Sequence, residues 1–253
     1  MTSSFCQSRA NLLYEPVMAS SRIKIAALDV DGTLVSHAIG ARLFEELAST
    51  GVCRWAFVEE VANLLRCYKA GELAHPDMTE QATSIYAAAI TGVKVTDVMA
   101  VARAVWRREE ARLFPFAREL IVLLHEFGFT PLLISASPEE IIALLARSLG
   151  QVWFRAARFE VAAGSYTGRV EMMPSLPGQK RRLIEEFVGA TDVDLASSVA
   201  IGNSLGDESM LSLVGRAIAF EPDISLRQLA LERRWTLADR HDVLQRVREQ
   251  IGM

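Results

Sequence analysis

Asp29-Val30-Asp31-Gly32-Thr33 places two carboxylates one residue apart, directly after the apolar run Ile25 to Leu28. That run is short and flanked by polar residues, as a buried parallel strand would be. Gly32 permits a sharp departure from the strand, so both carboxylates can enter one small space. Together they repel unless a proton or a cation relieves the charge. A hard, oxygen-ligated cation such as Mg²⁺ suits such a pair. Asp29 could then attack a phosphorus atom while Asp31 handles protons. The D-x-D-G pattern also opens calcium loops, but Leu34 to Ile39 supplies none of the further acids that such a loop needs.

Three more stretches carry polar chemistry. Thr130 to Ile134 reads as a strand running into Ser135-Ala136-Ser137, and Pro138-Glu139-Glu140 then opens a helix with Ser137 as its expected N-cap. That helix start could bind an anion, or it could simply be good capping chemistry. Gln179-Lys180-Arg181-Arg182 begins another helix. A lysine there opposes the helix dipole, so Lys180 faces an anion or belongs to a solvated basic triplet. Val199 to Ile201 is a strand leading to Gly202-Asn203-Ser204-Leu205-Gly206-Asp207, where Asp207 is the preferred acid and a plain loop with a helix cap is the competing reading.

Between the first and second strands the periodicity is helical throughout. Runs from Ile39 to Leu47, Arg54 to Ala70, Glu80 to Ile90 (capped by Asp77 or Thr79) and Val95 to Leu113 are separated by Gly51, Gly71 and Gly92. Residues 36–112 therefore read as an inserted all-helical subdomain. Phe116 to Phe127 is a further helix. Val152 to Phe154 and Arg158 to Val161 are short strand-like pieces, followed by a turn over Gly164 to Gly168. Arg216 to Phe220 and Trp235 to Leu237 are strands, and helices near Leu226 to Arg233 and Val243 to Glu249 complete the chain.

The 253 residues suffice for one large domain or one domain with an insert. Hydrophobic residues make up 51% and charged residues 23%, so a packed core is expected. A net charge of −4 gives no electrostatic case for nucleic acid. No run is long enough to span a bilayer and the first 20 residues carry no signal-peptide pattern, so no membrane partner is expected. Cys6, Cys53 and Cys67 are odd in number and lack metal spacing, which suits a reducing, cytoplasmic address. Residues 1–21 read as an N-terminal extension.

The ordered set Asp29-Val-Asp31-Gly-Thr, Ser135-Ala-Ser137, Lys180 and Gly202-Asn203-x-x-x-Asp207 resembles the haloacid dehalogenase superfamily. Ile134 to Glu140, Tyr166 to Arg169, Gly178 to Lys180 and Ala217 to Asp223 resemble its phosphoserine-phosphatase-like branch. The resemblance covers roughly residues 22 to 240. It implies an α/β fold, doubly wound around a mainly parallel Rossmann-like sheet, with a core of residues 22–35 and 113–253 and a helical cap of residues 36–112. It implies Asp29 as the nucleophile forming an aspartyl-phosphate and Asp31 as the general acid and base. Ser135, Ala136 and Lys180 would hold the phosphate, and Asp29, Asp31, Asn203 and Asp207 would hold Mg²⁺. The expected activity is Mg²⁺-dependent hydrolysis of a small-molecule phosphomonoester, by a monomer or homodimer. A phosphotransferase, or a catalytically impaired protein that binds a phosphate ligand or a partner, is the alternative.

Two departures from the family pattern bear on chemistry. Asn203 stands where the family usually has an Asp metal ligand, which predicts weaker Mg²⁺ binding. The Glu that grips the amino group of phosphoserine and the cap Arg that grips its carboxylate have no counterparts in Ser36 to Ile39 or Gly71 to Gly92, so phosphoserine is not the expected substrate. His37, Tyr68, His75 and Tyr86 are candidates to face a ligand from the cap side.

Overall fold

The computed structural model describes residues 22–189 and 192–252; the N-terminal extension and Cys6 lie outside them. Seven strands form one sheet in the order β4-β3-β2-β1-β5-β6-β7. They are β1 (Lys24–Leu28), β2 (Phe129–Pro138), β3 (Trp153–Ala162), β4 (Ser165–Met172), β5 (Val199–Gly202), β6 (Arg216–Phe220) and β7 (Thr236–Ala238). Every neighbouring pair is parallel except the β3–β4 hairpin at one edge. Parallel strands need crossovers on both faces, and two apolar clusters accordingly occupy the two sides of the sheet. Ile25, Ala26, Ala27 and Leu28 of β1 are fully buried, at the centre of the sheet.

The register fixes where polar groups gather. Leu28 is paired with Leu133 on one side and Ile201 on the other. Asp29 therefore emerges from β1 level with the positions just before Ser135 and Asn203. All three lie at the carboxyl edge, where ligands bind in open α/β sheets.

Four helices, α1 (Ile39–Ser49), α2 (Trp55–Lys69), α3 (His75–Ala89) and α4 (Val95–Glu109), intervene between β1 and α5 (Phe116–Glu126). Apolar residues of α1, such as Leu43 and Leu47, and of α4, such as Val98 and Val105, share one cluster with Leu28 and Leu133 of the sheet. By contrast α2 buries no residue, and Trp55, Leu65 and Tyr68 on it remain substantially exposed. The remaining helices are α6 (Glu139–Ser148), α7 (Gln179–Val188), α8 (Glu208–Leu211), α9 (Ile224–Arg233) and α10 (Val243–Ile251). Among the described residues, no helix is long and apolar enough to cross a membrane.

Several local expectations are corrected. The third helix starts at His75, not Glu80, because Pro76 in its first turn is already set for helical φ and Asp77 suits the dipole there. The fourth ends at Glu109, and Glu110 to Arg112 form a single 3₁₀ turn. The two strand-like pieces after Gln151 are one continuous strand, and the expected turn over Gly164 to Gly168 is mostly β4. Only Ala163-Gly164 turns, both at positive φ. Ser137 does not cap α6: the cap position is Pro138, with no side-chain hydrogen bond. The Ser137 hydroxyl is engaged elsewhere.

Candidate active site

Asp29 is 6% exposed, and each of its oxygens has a partner. Thr33 Oγ1 donates to Oδ2 at 2.9 Å, and Lys180 Nζ donates to Oδ1 at 2.7 Å. Lys180 reaches in from the first turn of α7, buried, and also donates to Asp207 Oδ1 at 2.5 Å. The dipole penalty of a lysine at a helix start is thus offset by two carboxylates. Asp207 Oδ2 accepts from the main-chain N–H groups of Asn203 and Ser204 and from the Ser204 hydroxyl. This is a capping box, in which Ser204 and Asp207 close the loop after β5. Both Asp207 oxygens are occupied, so this side chain positions Lys180.

Asp31 leaves the strand on the side of the four inserted helices. Its Oδ2 accepts from the hydroxyls of Ser135 and Ser137, each at 2.8 Å, and its Oδ1 accepts from the Ile39 N–H at 2.7 Å. The Ser135 hydroxyl in turn accepts from the Ser137 N–H. Two glycines let the backbones meet. Gly32 has φ +87°, and a Cβ there would lie 2.1 Å from Asn203 Nδ2; a Cβ on Gly40 would lie 2.7 Å from Ser137 Oγ. The Gly40 N–H donates to that same hydroxyl.

Two carboxylates, Asp29 and Asp207, therefore hold one ammonium, and the Asp31 carboxylate adds its charge near Asp29. Burial and the nearby Asp207 carboxylate push Asp29 up to about 7, although Lys180 pulls the other way. Burial alone would lower Lys180, but Asp207 and Asp29 outweigh it and hold the ammonium firmly protonated. The site carries surplus negative charge, and a hard cation would relieve it. No three His, Cys, Asp or Glu side chains converge on one point among the described residues. The donors available at the strand ends are thus Asp29, the Asn203 amide oxygen and main-chain carbonyls. That sparse, all-oxygen set suits Mg²⁺, which keeps several of its waters.

The residues singled out in the sequence come together here: Asp29, Asp31, Ser135, Lys180 and Asp207 are linked by hydrogen bonds, and Asn203 lies against Gly32. Ala136 is exposed beside them and lines a cavity of about 270 Å³ that opens above Asp31. Tyr86 lines the same cavity; Tyr68 does not. His37 lies against Glu109, with Nε2 2.9 Å from Oε2, and His75 is the first residue of α3. Thr33, Ser137, Gly40 and Asp223 had not been singled out as site residues. Asp223 caps α9 through Leu226 and also accepts from the Leu205 N–H, holding the Asn203–Asp207 loop. An Asp just before an apolar helix was a legible signal for the capping role, but its reach to Leu205 was not.

A parallel sheet with a carboxylate pair at its carboxyl edge, a buried lysine beside it and a helical insertion between β1 and α5 is the arrangement that the ordered motifs led one to expect. The haloacid dehalogenase-like hydrolase family model matches residues 26–212. The chain belongs to that family. Among curated relatives, a phosphoserine phosphatase of Streptomyces coelicolor is 30% identical over 207 residues, covering 82% of this chain and 46% of its own length. The chain spans about half the length of the first curated relatives it matches. Among solved structures, a protein of unknown function from Bordetella pertussis superimposes with a TM-score of 0.74 at 25% identity, covering 87% of this chain and all of the other. A substrate-bound phosphoserine phosphatase has the same fold, with a TM-score of 0.67 at 21% identity over 92% of this chain and all of its own. The family, its phosphoserine-phosphatase-like branch and the α/β class expected from the ordered motifs all hold.

Proposed function

We propose that the chain is a phosphatase acting on a small-molecule phosphomonoester other than phosphoserine, through an aspartyl-phosphate at Asp29. The observation that carries this reading is the pairing at the end of β1: Asp29 held at 2.7 Å by buried Lys180, and Asp31 held by the Ser135 and Ser137 hydroxyls. An Asp29 oxygen attacks phosphorus as the bond from phosphorus to the ester oxygen breaks. Asp31 acts as general acid and gives a proton to the departing alkoxide. Asp31 then takes a proton from water, which attacks the acyl phosphate, releasing inorganic phosphate and restoring Asp29. Lys180, the Ser135 hydroxyl and the Ala136 main chain hold the phosphoryl oxygens, for positioning and charge neutralisation dominate this chemistry. Thr33 and Asp207 keep Asp29 and Lys180 in place.

Mg²⁺, held by Asp29, the Asp31 main-chain oxygen and Asn203, would neutralise developing charge on the phosphoryl group. Residues 36–112 serve as the cap over a core formed by residues 22–35 and 113–253, because α1, α2 and α3 line the space above Asp31.

Phosphate release from a panel of phosphomonoesters with Mg²⁺, comparing wild type with Asp29→Asn, tests the reading. Release that requires both Asp29 and the metal supports it, and transfer to an added alcohol would reveal a phosphotransferase. Asn203 favours a second reading, a phosphate-ligand binding protein. That reading takes over if folded protein with excess Mg²⁺ binds phosphate but turns over no ester.

A further inference from the structure

The cavity above Asp31 reaches the proposed chemistry only through Asp31, Ala136 and Ser137, so it is the chamber in which the alcohol half of the ester would sit. Its walls are Phe44 from α1, Val61 and Leu65 from α2, Met78 and Tyr86 from α3, and Phe159 from β3. Phe44 and Phe159 flank Tyr86, with ring centroids at 5.1 and 5.0 Å. Among the described residues, Asp31 is the single charged one in the lining. The two threonine hydroxyls of the wall are already used: Thr79 donates to the Pro76 carbonyl and Thr83 to the Thr79 carbonyl. Ser175 and Tyr86 carry buried hydroxyls without a partner among the described residues.

A carboxylate placed in this chamber would lose its hydration and meet no cation among the described lining residues, and an ammonium would find only Asp31, which already accepts three hydrogen bonds. A sugar would leave several hydroxyls unsatisfied for the same reason. A hydrocarbon group loses nothing and gains the transfer of its surface from water. At about 270 Å³ the chamber is close to the lower end of ordinary ligand pockets, which suits a compact group.

We infer, building on the phosphatase reading, that the substrate is the monophosphate of an uncharged, largely hydrocarbon alcohol, selected by the chamber of Phe44, Val61, Leu65, Met78, Tyr86 and Phe159. The pattern differs from recognition of an amino-acid phosphate by charge pairing, and it explains why the cap carries no arginine facing Asp31.

The test uses two parallel series on the full chain with Mg²⁺. In the first, kcat/KM is measured for n-alkyl phosphates from methyl to octyl, with p-nitrophenyl phosphate, phosphoserine and glucose 6-phosphate alongside. In the second, calorimetry gives Kd for the matching alkylphosphonates, which cannot be hydrolysed. Both series should improve about three- to fourfold per added methylene until the chamber is full, and phosphonate binding should show a negative heat-capacity change. Ala82→Phe, which fills the chamber from α3, should shorten the best chain length. Leu65→Glu, at a partly exposed position that tolerates polarity, should flatten both series. A flat phosphonate series, or phosphoserine or the sugar phosphate as best ligand, overturns the inference. Asp29-dependent release together with a flat series would remove the hydrocarbon chamber and leave the phosphatase. A steep phosphonate series with no release from any ester would do the reverse.

Discussion

Asp29→Asn should make the protein inactive and more stable, with the stability gain growing as pH rises from about 3.8 to about 7. Asp29 ordinarily titrates near 3.8, but in the fold it titrates at about 7 because burial and Asp207 oppose its charge. A raised folded-state value means that the protonated form is the one the fold favours. The stability this confers is complete below about 3.8 and is lost as pH rises through about 7. Taking ~1.4 kcal/mol per pH unit, ionised Asp29 costs the fold on the order of 4 kcal/mol at high pH. An asparagine has the same shape without the charge. Its amide oxygen can still accept from Lys180 while its NH₂ faces the Thr33 hydroxyl, although the attraction to the ammonium is weakened. A net gain of about 1–3 kcal/mol at pH 8.5 follows, or about 2–4 °C in Tm per kcal/mol for a chain of this size. Below about 3.8 Asp29 is protonated in the folded and the unfolded chain alike, so at about pH 3.5 the difference should nearly vanish. Thermal unfolding of both proteins at the two pH values, with chelator present, measures this. Adding Mg²⁺ at pH 8.5 should stabilise wild type by RT ln(1 + [L]/Kd) and narrow the gap. A variant no more stable than wild type at pH 8.5, or one equally stabilised at both pH values, would refute the charge argument.

Two further outcomes follow from close contacts at the strand ends. Gly40→Ala should lose about 1–3 kcal/mol despite the better helix propensity of alanine, because the new Cβ would meet Ser137 Oγ at 2.7 Å and Pro138 Cδ at 2.8 Å; denaturant midpoints would record the loss, and kcat would fall as Asp31 loses its Ser137 partner. Asn203→Asp adds a carboxylate to a site that already holds three, so the metal-free protein should melt lower while Mg²⁺ affinity measured by calorimetry rises; unchanged affinity would show that position 203 does not face the metal.

The chain's own order of residues was enough to mark the chemistry. Asp29 and Asp31, Ser135, Lys180 and Asp207 each stand immediately after an apolar run or at a helix start, and local sequence specifies such junctions. The helical character of residues 39–109 was legible for the same reason: a 3.6-residue period is written in neighbours. Propensity could not decide which of two local uses a side chain would take. Ser137 looked like a helix cap, yet its hydroxyl serves Asp31, which lies more than a hundred residues earlier. Gly164 to Gly168 looked like a turn, yet pairing with β3 draws all but Gly164 into a strand. Lys180 alone was as consistent with a solvated triplet as with a site. Only the register of β2, β1 and β5, in which Leu28 meets both Leu133 and Ile201, brings α7 and the Asn203–Asp207 loop to the same edge and buries that ammonium between two carboxylates. The uncharged chamber above Asp31 belongs wholly to the tertiary structure. Its walls come from α1, α2, α3 and β3, and no stretch of sequence shows which apolar residues of separate elements will face one another across an open space.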